Sequence, residues 1–110
     1  MRARLIEPEL ARLREKLQTM ANAAEQAIQS AVRALHDLDS DLADSVIFDD
    51  DAIDRMELEI DQACVDILVL KQPAASDLRF VISAARVAPV LERIADHAVN
   101  IAKLSLSLKG

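Results

Sequence analysis

The sequence predicts an all-α fold, an elongated antiparallel up-down-up bundle of three helices. Glycine occurs once and proline three times in 110 residues, so the residues that turn strands and hairpins are nearly absent. Apolar residues recur instead at intervals of three and four over three long segments rich in helix-forming residues. Because the links between these segments are short, neighbouring helices must run antiparallel. We expect a single domain that spans residues 1–110.

The first helix is predicted over residues 9–38. Its apolar residues form one stripe along one face: Leu10, Leu13, Leu17, Met20, Ala24, Ala27, Ala31 and Leu35. The stripe ends in a polar segment whose side chains favour helix N-caps, so Asp39 or Ser40 is expected to cap the next helix. His36 lies at the carboxyl end of the first helix, where an imidazole favours the helix dipole, and is interpreted as structural.

The second and third helices are predicted over residues 41–71 and 74–108. Pro73 separates them because its ring disrupts the preceding helical turn and biases Gln72 away from helical angles. The inner positions of the first and third helices are rich in alanine, which allows close packing. Many leucines and isoleucines fall beside these narrow stripes, so we expect a second apolar face and a homodimer.

Composition and charge exclude several classes of function. With one glycine, no glycine-rich loop can hold a phosphate or a dinucleotide. A net charge of −6 and only two aromatic residues, Phe48 and Phe80, argue against a nucleic-acid partner. The sequence has no membrane-span pattern and no secretory-signal pattern, and Cys64, its one cysteine, is expected in the core. We therefore expect a cytoplasmic protein.

The acidic residues are concentrated in one window, residues 49–61, which holds seven acids and one base. The remaining acids and bases balance at twelve each, so this window carries the whole net charge. Within it, Asp50, Asp54, Glu57 and Asp61 are spaced so that they share one helical face, where like charges repel. A hydrated acidic flank and a cation-binding face are both compatible with this spacing.

A second acidic pair, Glu92 and Asp96, is spaced by four residues on the third helix. The pairs Asp50/Asp54 and Glu92/Asp96 are equally far from Pro73, so an antiparallel hairpin places them at the same height. Four level carboxylates predict a site for divalent or trivalent metal ions: magnesium, manganese, iron or zinc. Weaker ligand candidates lie on the same faces or at the same height: Glu57, Asp61, Glu25, His97 and Asn100.

The segments 72–80 and 91–101, together with residues 46–54 and the pattern of the first helix, resemble the PhoU family of phosphate-uptake regulators. The resemblance covers essentially the whole chain. It implies a three-helix repeat in which two motifs, an acid followed four residues later by Asp, can hold multinuclear metal clusters. Those motifs correspond here to Asp50/Asp54 and Glu92/Asp96, the residues that the spacing had selected.

The resemblance further implies an adaptor without catalysis of its own. Members of the family characteristically repress phosphate uptake and the phosphate-starvation response. They link a subunit of the phosphate ABC transporter to a membrane sensor histidine kinase, and so contact the membrane only through partners. This sequence has one repeat where typical members have two, Pro89 where a small polar residue is common, and Ala95 in place of a glycine. A homodimer would rebuild the six-helix form.

Two other functions remain to be compared with a metal-binding adaptor. The first is a metal-free acidic helical module that docks on a basic partner surface. The second is a carboxylate-bridged metalloenzyme, which is disfavoured because ferritin-like centres require Glu-x-x-His pairs. The residues three before His36 and His97 are Arg33 and Ile94, so neither histidine belongs to such a pair.

Overall fold

The computed structural model describes the backbone of residues 2–109 and the side chains of residues 6–109, and helices are the only regular secondary structure in that range. The three helices are α1 (Arg2–Asp37), α2 (Ser40–Leu70) and α3 (Ala75–Lys109). Each helix contacts the other two, and the bundle measures 60 × 18 × 16 Å. The predicted elongated three-helix architecture is confirmed.

The bounds of α2 and α3 lie within one residue of the prediction, whereas α1 begins seven residues earlier than expected. The expected start at residue 9 was wrong because it was set by the apolar stripe, which was followed only from Leu10 onward. Pro8 lies inside the helix, beyond the first four residues, so its missing N–H removes one backbone hydrogen bond. Ile6, which precedes it, is buried in the core and ties this extension to the bundle.

The core runs the length of the bundle and changes character along it. Larger side chains fill one half, including Leu13, Met20 and Ile60. The other half is rich in alanine, with Ala34 and Ala98 fully buried. Small side chains let the helix axes approach closely, so this half gains contact area from backbone proximity rather than from side-chain bulk.

The buried stripes are shifted slightly from those predicted. On α1, Ala34 is buried, and the neighbouring predicted position, Leu35, is only partly buried. The reason is that each helix of a three-helix bundle packs against two neighbours, so it buries a wider face than one narrow row. Cys64 is 2% exposed, so its predicted place in the core is confirmed.

Both links between helices pass through left-handed backbone conformations. Leu38, with φ 52°, ends α1, and Asp39 then caps α2 by accepting a 3.0 Å hydrogen bond from the amide of Leu42. Gln72, with φ 47°, precedes Pro73 in the second link. These residues confirm Asp39 as the cap and the end of α2 just before Gln72.

Large apolar side chains also lie outside the core, as predicted. Phe48 and Leu58 on α2 are 82% and 68% exposed, and Val65, Val69 and Leu70 are exposed further along the same helix. None of the described helices combines the length and the low charge needed to cross a lipid bilayer.

Candidate metal centre

Two helices position the acidic side chains of the candidate site. On α2, Asp50 and Asp54 lie one turn apart, and buried Ile53 holds this part of the helix against the core. On α3, buried Ala95 lies beside Asp96. Because alanine is small, the backbone of α3 can approach α2 closely at this height. The acids of the two helices therefore meet across a narrow seam.

Asp50, Asp54 and Asp96 form a cluster across the seam between α2 and α3. One carboxylate oxygen from each residue lies within 4.8 Å of the oxygens of the other two. Asp50 and Asp54 are partly buried and Asp96 is exposed, so the cluster opens to solvent on the α3 side. These are three of the four principal ligands predicted from the sequence, and their meeting follows from the antiparallel register about Pro73.

Asp50 has the least favourable environment of the three. Its Oδ1 atom is buried and has no hydrogen-bond partner among the described residues. Burial raises the pKa of Asp50, the carboxylates of Asp54 and Asp96 raise it further, and the cation Lys103 partly opposes them. A buried acceptor without a donor is costly, and more so when negative charges surround it. The position thus favours a proton or a bound cation.

Glu92 extends the acidic cluster by one turn of α3. Burial, a hydrogen bond to Asp96 and the charges of Asp96, Glu57 and Asp54 together raise the pKa of Glu92 to about 7. A large fraction of Glu92 is therefore protonated near neutral pH. Its side chain contacts Asp96 and is not one of the three carboxylates that converge within 4.8 Å.

The weaker ligand candidates lie either in the acidic row on α2 or at exposed positions on α1 and α3. Glu57 and Asp61 continue the acidic row along α2 and line a shallow groove against α3. Glu57 lies near enough to act on the ionisation of Glu92. The three other candidates are exposed: Glu25, His97 and Asn100. Neither Glu25 nor His97 is among the groups that converge in the cluster.

Lys103 is a charged neighbour that sequence reasoning missed. It lies seven residues beyond Asp96, which places it two turns along the same face of α3. Its positive charge lowers the pKa of Asp50 and so offsets part of the repulsion in the cluster. A search for cations at the same seven-residue spacing would have found it.

A second buried oxygen without a hydrogen-bond partner belongs to Glu9, at the seam between α1 and α2. Its other carboxylate oxygen lies 3.4 Å from the Nη2 atom of Arg12 and 3.8 Å from the Nζ atom of Lys71. These two cations compensate the charge of Glu9. The group therefore ties α1 to the end of α2, and it differs from the Asp50 cluster, where the carboxylates outnumber the cations.

Comparison with known proteins places this architecture in a family. The profile described as the PhoU domain matches residues 17–105. The phosphate-specific transport system accessory protein PhoU of Escherichia coli K12 is 43% identical over 98 residues, which cover 89% of this chain and 41% of that protein. Its homologue in Pseudomonas aeruginosa PAO1 is 45% identical over 100 residues, covering 91% of this chain and 41% of the relative.

A solved structure is similar in both fold and sequence. The crystal structure of PhoU from Pseudomonas aeruginosa superposes with a TM-score of 0.91 at 44% identity, covering 94% of this chain and 49% of that one. The chain thus spans less than half the length of the relatives it matches here. With a matching domain profile, this level of identity and the shared three-helix fold, the chain belongs to the PhoU family.

Proposed function

We propose that this chain is an accessory protein of phosphate-specific transport that holds metal ions through the carboxylates between α2 and α3. One observation carries the metal site: three carboxylates from two helices converge within 4.8 Å, and one of them has a buried oxygen without a hydrogen-bond donor. The transport role is supported by family membership and by the names of the relatives.

The donor set fits a hard or borderline cation. Carboxylate oxygen is the ligand preferred by magnesium and manganese, and iron and zinc also accept it. Asp50, Asp54 and Asp96 would supply the first ligands. Glu92, one turn away on α3, could join them after losing its proton, and Glu57 lies beside it on α2. A row of this length has enough carboxylates for more than one ion.

The proposed role is regulatory rather than catalytic. A long bundle with an acidic seam presents surfaces to partners, and metal binding there would join α2 to α3 and stiffen the face they share. By family resemblance, the partners are a subunit of the phosphate ABC transporter and a sensor histidine kinase, and the effect is to repress phosphate uptake. The chain would act in the cytoplasm and reach the membrane only through these partners.

We also propose that two copies associate. The chain covers 41% of each of the two relatives described above. It also exposes large apolar side chains on α2, including Phe48 and Leu58. Such side chains gain stability when a second surface covers them. A homodimer would double the number of helices and bring the assembly close to the size of those relatives.

The metal site is tested by elemental analysis of protein loaded with manganese or iron and then freed of excess ion. We compare the wild type with the variant D50N/D54N and with the matched control D44N/D66N, which removes two exposed acids from the same helix. About one ion or more per chain is expected in the wild type and the control, and a loss of most of it in D50N/D54N. Equal metal content in all three proteins would contradict the assignment.

The transport role is tested separately, in a bacterium that lacks its own PhoU and carries a reporter for the phosphate-starvation response. Expression of the chain is expected to lower reporter activity in high phosphate. No effect from a chain that is made and folded would contradict the regulatory role and leave the metal site standing.

A metal-free acidic module is the second candidate, favoured by the exposure of the window acids Asp49, Asp51, Glu59 and Asp61. Exposed acids bind a basic partner surface without any ion. This function predicts that metal does not raise the melting temperature and that partner binding weakens strongly with salt. The elemental analysis above separates it from the metal-binding adaptor.

A further inference from the structure

The outer face of α3 carries three arginines at regular spacing. Arg79, Arg86 and Arg93 are seven residues apart, so they lie on one side of the helix, about 10.5 Å from each other along its axis. All three side chains are exposed. A repeat of seven residues over two intervals gives a straight row of positive charge.

These arginines have no acidic partner within ion-pair distance among the described side chains. By contrast, Arg12, Arg33, Lys16 and Lys71 each lie between 3.4 and 3.8 Å from a carboxylate. The chain has a net charge of −6 and therefore an excess of acids. Other cations also lack a carboxylate within that distance, but Arg79, Arg86 and Arg93 are the three that follow one another at a fixed spacing along one helical face, and their charge remains available to a partner.

Apolar side chains fill the spaces between the arginines. Ile82 lies between Arg79 and Arg86 and is 38% exposed, and Val90 lies between Arg86 and Arg93 and is 46% exposed. The spacings of three and four residues put all five side chains on one helical face. We call these five residues the arginine ridge. Its alternation of charge and aliphatic surface is typical of interfaces in which apolar contact gives affinity and charge fixes register.

We propose that the arginine ridge docks an acidic amphipathic helix of a partner protein. A helix that carries Glu or Asp every seven residues presents carboxylates at the same 10.5 Å spacing as the arginines. Aliphatic residues between those acids would cover Ile82 and Val90. Arginine suits this task because its planar guanidinium group binds a carboxylate through two parallel hydrogen bonds.

The neighbouring acids favour a helix over an extended polyanion. The window of residues 49–61 lies on α2, which packs against α3, so an anionic membrane or a nucleic acid that covered the ridge would also approach that window. Like charges within a Debye length repel. A single helix is narrow, about 10 Å across, and can follow the ridge without covering α2.

The test uses a synthetic 21-residue helical peptide with Glu at every seventh position and Leu three or four residues after each. Its control has the same composition, with its three Glu residues spaced five positions apart. Fluorescence anisotropy measures the binding of each to the full chain at low salt. The in-register peptide is expected to bind at least about tenfold more tightly than its control, with a strong loss at higher salt.

Two variants locate the site on the protein. R86E/R93E is expected to reduce binding of the in-register peptide at least about tenfold, and R86Q/R93Q to reduce it by a smaller factor. The control R33E/K109E makes the same change in net charge at the opposite end of the bundle and is expected to leave binding within about twofold. Because all these side chains are exposed, helicity measured by circular dichroism should not change.

Four results would overturn the proposal. The first is equal binding of the two peptides, and the second is an equal loss in R33E/K109E. The third is arginine-dependent binding to vesicles with anionic lipid in the absence of in-register peptide binding. The fourth is self-association of the wild type that R86E/R93E abolishes, which would make the ridge a contact between copies of this chain.

Discussion

Asp50 on α2 and Asp96 on α3 are separated by 46 positions in the sequence, yet each places a carboxylate oxygen within 4.8 Å of the other. Two like charges at this distance oppose the packing of the helices that carry them. The bundle tolerates them because buried side chains such as Ile53 and Ala95 hold the seam together. The cluster therefore carries an unfavourable charge that a cation would relieve.

This balance predicts that D50N makes the metal-free protein more stable and the metal-loaded protein less so. Removing one charge from three interacting acids should raise the melting temperature without metal by about 2–5 °C, the shift that roughly 0.5–1 kcal/mol produces in a domain of this size. Differential scanning calorimetry with chelator, and then with manganese, measures both effects. The control is D44N, which removes an exposed acid from the same helix and should change neither melting temperature.

The same experiment can contradict the cluster assignment. If manganese raises the melting temperature of D50N as much as that of the wild type, Asp50 is not part of a metal site. If chelated D50N melts below the wild type, the interactions of Asp50 are net favourable, and the repulsion argued from its position is wrong.

Glu92 predicts a pH dependence of the metal-free protein. The pKa of Glu92 is about 7 in the fold against an ordinary value of 4.5, so the folded state binds more protons than the unfolded state between those values. Stability contributed by this group is therefore present at the acid end of that interval and is lost as pH rises through about 7. The urea midpoint of chelated protein should fall between about pH 5.5 and 8.

The variant E92Q isolates this effect because glutamine keeps the size of the side chain and cannot ionise. The fall in midpoint over the same pH interval should be clearly smaller in E92Q than in the wild type. E25Q, which removes an exposed acid from α1, should keep the wild-type dependence. An unchanged slope in E92Q would show that other groups govern the pH response.

The meeting of Asp50 and Asp96 could be predicted from the sequence, because it depends only on helical geometry and on the position of the turn between the two helices. The proline at 73 sets the turn, and equal separation from it puts Asp50 and Asp96 at one height. The orientation of individual side chains could not be predicted in this way. Whether Glu92 turns toward Asp96 or toward Asp50 depends on side-chain rotamers and on burial, and neither follows from spacing.

The error at the beginning of α1 has a similar physical origin. The predicted start came from the apolar stripe, which was followed only from Leu10 onward, so the residues before Pro8 were left outside the helix. The helix continues upstream because burial of Ile6 compensates for the hydrogen bond lost at Pro8. Local propensity was outweighed by a tertiary contact, which a single sequence does not display.

Cys64 is predicted to be unreactive in the folded protein. Its side chain is buried, its Sγ atom lies 3.6 Å from the carbonyl oxygen of Val81, and burial raises the pKa of the Cys64 thiol. Because the thiolate is the reactive form, the raised pKa of the thiol slows its attack on a disulfide reagent, and the burial of the side chain slows it further by limiting access. Reaction with Ellman's reagent near pH 8 should be at least about 100-fold slower than in denaturant, where the fold no longer protects the thiol. A native rate close to the denatured rate would show that this part of the α2–α3 core opens readily.

The alanine-rich half of the core offers a final test, at a hydrogen bond between α3 and α1. The buried hydroxyl of Ser105 donates to the carbonyl oxygen of Ala34 at 3.0 Å, and the amide of Asp39 donates to the same oxygen. Because Asp39 still satisfies that oxygen, S105A should lower the free energy of unfolding by only about 1 kcal/mol.

S105V should lower the free energy of unfolding by more, about 1–3 kcal/mol, because two methyl groups more than in S105A would press on fully buried Ala34. Chemical denaturation measures the free energy of unfolding of both variants and of the control S107A, which changes an exposed serine on the same helix. If S105V is as stable as S107A, the helices can separate at this height at no cost, and close packing does not hold the alanine-rich half together.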